Sequence, residues 1–165
     1  MLNTQQVISL CKTHGFALVG VSDARKSKWS TEFEQWLRGG KHGEMAWLEK
    51  NVELRLDPTR LVDHAKSVIC VADRYSSEED HPLPKHHGKI ARYARGRDYH
   101  KVMKKRLHKV CDSLRASDPN VIFRCCVDTA PLMEREFAAA AGIGAIGKHT
   151  LLIDQSVGSW LMLGA

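Results

Sequence analysis

The chain has 165 residues, 27% charged and 43% hydrophobic, and a net charge of +6. That is enough for one domain with a real core and hardly two, and no apolar run approaches the ~20 residues a membrane span needs. Five cysteines (Cys11, Cys70, Cys111, Cys125, Cys126), odd in number and without C-x-x-C, argue against a disulfide framework or a zinc knuckle and predict a reducing, cytoplasmic setting.

The polar start MLNTQQVISLCKTHG is not a signal peptide; Val7, Leu10 and Cys11 at helical spacing predict a helix over 4–14 that Gly15 stops. FALVGV, residues 16–21, reads as a strand. Phe33, Trp36 and Leu37 predict a helix over 31–38, broken at Gly39 and Gly40, and residues 44–50 a short helix with Met45 and Leu48 inward. SVICVA, residues 67–72, is a buried strand by its β-branched content. SSEEDHPLPKHHGK, residues 76–89, is a loop, and His81, His86 and His87 within it read as solvated, not as a metal site. Asp98 is placed to cap a helix to about residue 114, with Tyr99, Met103, Leu107, Val110 and Leu114 inward and Lys101, Lys104, Lys105 and Lys109 outward. VIFRCCVD, residues 121–128, reads as a strand that sends Cys125 and Cys126 to opposite faces. LMEREFAAAA, residues 132–141, is a helix with Pro131 in its first turn and Glu134 and Glu136 near its positive end; TLLI, residues 150–153, is strand-like. The fold class is α/β or α+β, a central mixed sheet flanked by helices.

Two stretches stand out chemically. Residues 85–109 hold ten Lys or Arg against the single acid Asp98, a local +9 that leaves −3 for the remainder and points to an anionic partner or, equally on composition, a solvated face. AGIGAIGKHTLLI, residues 141–153, fits two phosphate-loop patterns, through Gly142, Gly144 and Gly147 and through Gly142, Gly147 and Lys148. Both patterns need strand, loop, then helix, whereas here a helix precedes and a strand follows, and His149 replaces the hydroxyl that would bind magnesium. The glycines therefore read as a tight loop that lets backbone approach a large ligand and projects Lys148 and His149 towards it. Asp128, after an apolar strand and before a helix, has two local readings: a helix cap, or a buried acid with its pKa held up.

RYARGRDYHKVMKKRL, VDTAPLMERE with AAAAGIG and IGKHTLLI after it, and GSWLMLG, together with KHGEMAWLEKNVELRLDPTRLVDHAKSVICVA upstream, resemble epoxyqueuosine reductase in order and spacing over most of the chain. The resemblance implies a cobalamin-binding N-terminal domain over 1–165, similar to those of reductive dehalogenases, and reduction of the epoxide of epoxyqueuosine in tRNA to queuosine. It maps the catalytic acid onto Asp128. It implies a cobalamin site of Arg55, Lys148, His149, Leu152 and Leu163, with the nucleotide-tail base displaced and no histidine on cobalt. Arg92, Arg95, Arg97, Tyr99 and His100, with Tyr93, are assigned to tRNA phosphates and an extruded base. Ala91 stands where some members carry a cysteine near the corrin. Electrons would pass from a flavodoxin- or ferredoxin-type donor through two 4Fe-4S clusters in a ferredoxin-like domain. None of the five cysteines supplies the thiolate run such clusters need, so that domain is expected to be absent. The apolar ending SWLMLGA likewise suggests a fragment that binds cobalamin and does not turn over alone. Two other readings are a redox-inactive RNA-binding module and a nucleotide-binding protein that uses the loop 142–148.

Overall fold

The structure, a computed structural model, describes residues 3–75 and 84–165. Its elements in chain order are α1 (Thr4–Thr13), β1 (Leu18–Asp23), α2 (Ser30–Arg38), α3 (Val52–Leu56), β2 (Ser67–Arg74), α4 (Tyr99–Ser117), α5 (Glu134–Ala140), β3 (Ala145–Ile146), β4 (Leu152–Ile153) and β5 (Leu161–Gly164). Three short 3-10 turns, Ala46–Leu48, Pro58–Arg60 and Arg92–Ala94, join them.

Alternation along β2 organises the molecule. Its even residues Val68, Cys70 and Ala72 pack on one face with Phe137 and Ala138 of α5 and with Leu152, while Val71 and Ile69 pack on the other with Val7 and Cys11 of α1 and Met103, Leu107, Val110 and Leu114 of α4. A period of two on a strand divides side chains this way, and each fully buried aliphatic or aromatic side chain contributes about 1.5–3 kcal/mol. Cys125 joins the α1/α4 side and Cys126 the α5 side, as the alternation predicts.

β2 is central, with β1 and β5 as neighbours, and both pairings are antiparallel: Leu18↔Ala72 through Asp23↔Ser67, and Val71↔Gly164 through Arg74↔Leu161. Among the described residues the sheet is thus antiparallel, not mixed as expected. Apolar periodicity reports which faces are buried and carries no record of a neighbour's direction. Residues 121–127 are extended chain, not a regular strand; Cys126 exchanges both backbone hydrogen bonds with Ala165, at 2.6 and 2.9 Å.

Local chemistry explains the helix ends that carry caps. Asn3 and Gln6 close a capping box at α1, and Gly15, at φ 85°, follows its last turn. The expected helix over 44–50 contracts to the turn Ala46–Leu48, with Met45 exposed. Arg106 of the basic block is half-buried: its guanidinium pairs with Asp73, its Nε donates to His14 O at 2.9 Å, and it stacks 4.0 Å from the Phe16 ring. Glu136 is also internal, accepting from Ser27 Oγ and from Lys28 N at 3.0 Å, so it tethers α5 to the segment after β1 and is not a surface charge. No described helix is long and apolar enough to cross a membrane.

Candidate active site

The extended segment that enters the site turns sharply at Asp128. Its backbone has φ 53°, and Thr129 N donates to Val127 O at 2.6 Å, which closes a γ-turn of the rare positive-φ kind. The Asp128 N–H donates to Glu134 Oε1 at 2.9 Å, so the first residue of α5 reaches back to hold the turn. Strained, over-determined backbone of this sort gathers at functional sites. Asp128 is not the cap of α5: that position is Met133, which makes no side-chain cap bond.

The first turn of α4 meets Asp128 from the other side. Asp98 caps α4 by accepting from His100 N at 3.0 Å, and the same carboxylate lies 2.9 Å from His100 Nδ1. His100 Nε2 then lies 3.0 Å from Asp128 Oδ2. An imidazole between two carboxylates is stabilised in its charged form, and the His100 pKa is raised, chiefly by its hydrogen bond to Asp128. Asp98 is held below the usual carboxylate range, chiefly by its bond to His100. Tyr99 is pushed up to about 12 by burial and then by the charge of Asp128.

Asp128 and Tyr99 open on a cleft of about 300 Å³ lined also by Glu134, Arg135, Leu151, Leu152, Leu161, Leu163, Tyr75 and Tyr93. Edge-on contacts run from Trp160 to Tyr75 (5.6 Å), Tyr75 to Tyr93 (6.4 Å) and Tyr93 to Tyr99 (6.5 Å), and Tyr99 stacks on His100 at 3.9 Å. Leu151 is exposed within the cleft lining, and Ile146 and Ile153 of the same β3–β4 hairpin are exposed as well. A second, larger cleft of about 590 Å³ lies among Val110, Leu114, Phe123 and the Cys111–Cys125 pair, whose sulfurs are 3.6 Å apart; its walls are mainly aliphatic.

The carboxyl that burial affects is Glu134, pushed up to about 7, with the charge of Asp128 adding to the effect. The expectation that burial would act on Asp128 is corrected: that side chain is 60% exposed. Of the residues assigned to the cofactor, Leu152 and Leu163 line the cleft with Asp128. Arg55 lies outside its wall, over the Trp47 ring at 5.6 Å; its Nε is buried with no hydrogen-bond partner among the described residues, and burial lowers its pKa while Glu134 opposes that. Arg60, not Arg55, pairs with Glu53 and Asp57. Lys148 and His149 are exposed, and His149 Nδ1 accepts from Leu151 N at 3.3 Å.

Of the residues assigned to tRNA, Tyr99 and His100 are drawn into the acid cluster. Arg92 lies over the Trp160 ring at 4.6 Å, Arg95 Nε donates to Ile90 O at 2.9 Å, and Arg97 is exposed. His86 and His87 are exposed, and His81 lies outside the described residues. The glycine loop leads into a hairpin, not a helix. A Cβ at Gly144 would stand 2.3 Å from Ile153 O, so that glycine serves strand pairing and the loop does not open a helix. Sequence reasoning missed Glu134, Asp98, Tyr75 and Trp160 as site residues. The first two read locally as helix-end charges, and nothing local marks the two aromatics, which lie just after β2 and just before β5.

Comparison with known proteins finds similarity to one family. The model described as "Epoxyqueuosine reductase QueG, DUF1730" matches residues 55–129. Epoxyqueuosine reductase of Gloeobacter violaceus is 39% identical over 161 residues, covering 96% of this chain and 50% of the relative. That of Xanthomonas campestris is 36% identical over 164 residues, covering 96% and 46%. The chain thus spans about half the length of the curated relatives it matches. The structure of epoxyqueuosine reductase from Streptococcus thermophilus superposes with a TM-score of 0.84 at 29% identity, covering 99% of this chain and 45% of that one. A crystal structure of epoxyqueuosine reductase with an epoxyqueuosine-modified tRNA-Tyr stem loop superposes equally well, at 27% identity and over 97% and 43%.

Proposed function

We propose that this chain, which matches epoxyqueuosine reductases along nearly all of its own length and about half of theirs, forms the proton-donating and cobalamin-facing side of an oxidoreductase that converts epoxyqueuosine in tRNA to queuosine. The observation that carries the reading is the Asp128–His100–Asp98 array at the mouth of a cleft walled by leucines.

Reductive opening of an epoxide carbon–oxygen bond develops negative charge on the oxygen, and a placed acid must meet it. Asp128 is that acid. His100, poised as an imidazolium, returns a proton to Asp128 across 3.0 Å, and Asp98 keeps the other ring nitrogen paired throughout. A base and a large apolar ligand seated over the cleft would cover the exposed Asp128 side chain, and desolvation favours the proton-bearing carboxyl.

Cobalamin, when bound, supplies the reducing equivalents to the epoxide. The residues present suit it: Leu152 and Leu163 give an apolar wall, the exposed Ile146, Leu151 and Ile153 extend it, and the unpaired buried Nε of Arg55 is a donor awaiting an oxygen. Lys148 and His149, exposed in the loop between β3 and β4, would meet its polar side chains. Two 4Fe-4S clusters in a ferredoxin-like unit, fed by a flavodoxin- or ferredoxin-type donor in the cytoplasm, would furnish the electrons. Arg92, Arg95 and Arg97 lead along the chain to the cleft from the side where tRNA phosphate would approach.

The test is a spectroscopic titration of the chain with cob(II)alamin. The reading expects the spectrum of the form with its tail base displaced, saturating at one equivalent. A spectrum that stays at that of free cob(II)alamin under excess protein overturns the cofactor assignment.

A further inference from the structure

The turn at Asp128 is held by one side chain. Positive φ in a non-glycine γ-turn costs free energy, and the neighbouring bonds must supply it. The 2.6 Å bond from Thr129 to Val127 closes the turn, and the Asp128 N–H, left outside any ladder, is taken by Glu134 Oε1 at 2.9 Å. Glu134 is the first residue of α5, and α5 is anchored in the core through Phe137 and Ala138. The carboxyl therefore connects a fixed helix to a strained loop and also lines the cleft into which Asp128 opens.

We infer that Glu134 is the positioning residue for Asp128: its carboxylate latches the γ-turn and so keeps the Asp128 carboxyl against His100 and the cleft. The functional meaning rests on the reading of Asp128 as the proton donor; the latch itself does not. Burial pushes Glu134 up to about 7, so it changes charge in the neutral range. An ionised carboxylate is the stronger acceptor, so the latch tightens as pH rises through that value and loosens below it. The charged and titratable groups facing Glu134 come from several elements. The latching Asp128 N–H lowers its proton affinity, as do Arg135 and His100, while the Asp128 charge raises it. Arg55 from α3, Tyr99 from α4, Cys70 from β2 and Cys126 from the extended segment also feel its charge.

The experiment follows the Asp128 amide of this chain by ¹H–¹⁵N NMR from pH 5 to 9, with no cobalamin or tRNA, so that failure of the reductase reading leaves it unaffected. The expected wild-type result is a downfield movement of the amide proton with a midpoint near 7. Glu134→Gln keeps an acceptor and abolishes the titration; Glu134→Ala removes the acceptor and lowers exchange protection of that amide by about tenfold, the loss of one such bond. His100→Gln leaves the midpoint in place. A flat wild-type curve, or a titration that persists in Glu134→Gln and vanishes in His100→Gln, overturns the proposal. Should Glu134→Ala not fold, the Glu134→Gln and His100→Gln curves decide it.

Discussion

Asp128 joins three features that few residue types combine: a left-handed backbone, a carboxyl group, and a short reach to His100. Asn also tolerates positive φ, so Asp128→Asn removes the acid and spares the turn. In a full-length reductase containing this chain, that variant is expected to lower epoxide reduction about 10²–10⁴-fold, the range for a lost general acid, while the cob(II)alamin titration is unchanged. Equal loss of cofactor binding would mean the turn had moved. The same variant reports on His100. The carboxylate of Asp128 is the main cause of the raised His100 pKa, since it favours the imidazolium, so Asp128→Asn should bring the imidazole midpoint back down by ¹⁵N NMR, and Asp98→Asn should do so less. Glu134 gives a stability prediction with a fixed sign. Its pKa rises from 4.5 when exposed to about 7 in the fold, so the folded state binds the proton more tightly. The stabilisation is fully present below the unfolded value and is lost as pH rises through the folded one. Glu134→Gln, which does not titrate, should therefore gain on the wild type between pH 5 and pH 8 by about 3 kcal/mol, read as a widening difference in melting temperature. No widening would mean the carboxyl is better solvated than its burial suggests.

At the scale of elements, close backbone approach does work that the sequence marks only as glycine. β1 lies so near the end of α5 that a Cβ on Gly20 would stand 2.2 Å from Ala141 O and 2.9 Å from Ala141 Cβ, with no flexible atom to yield. Gly20→Ala should cost about 2–3 kcal/mol, or roughly 5–10 °C in melting temperature, whereas Gly88→Ala, with open space around it, should cost almost nothing. The longer elements were legible because their apolar periodicity is strong. α4 carries Met103, Leu107, Val110 and Leu114 inward and ends where Asp98 and the basic last turn allow, and β2 is apolar on both faces because both are covered. The pieces that escaped are those whose form is dictated from outside. α3 is five residues, too short to leave a periodic trace, and β3 exists only because Gly144 lets β4 come against it. The site divides in the same way. Asp128 and the leucines were singled out by the family resemblance and not by local pattern, whereas the Glu134 contact spans a loop and a helix start and becomes visible only in three dimensions.

For the whole molecule, charge and chemistry lie along one helix. α4 has 19 residues, about 28 Å of length, and its first turn delivers Tyr99 and His100 to the cleft while Lys101, Lys104, Lys105 and Lys109 remain exposed along it. The local +9 of residues 85–109 is therefore not all available to a partner, since Arg106 is spent on Asp73, the His14 carbonyl and Phe16 inside the fold. A nucleic acid whose modified base enters at the cleft would lay neighbouring phosphates on the lysines and not on that arginine. Counterion release then makes the two kinds of cation experimentally distinct. Lys104→Gln and Lys105→Gln should each reduce the slope of log affinity against log salt by about 0.7–1 for a tRNA anticodon stem loop, with melting temperature and the His100 titration unmoved. Arg106→Gln should instead strand the half-buried Asp73 carboxylate and lower the melting temperature, whatever its effect on RNA. If the lysine variants leave the salt slope intact, the basic face of α4 is a solvated surface and the RNA reaches the cleft along the Arg92 to Arg97 side alone.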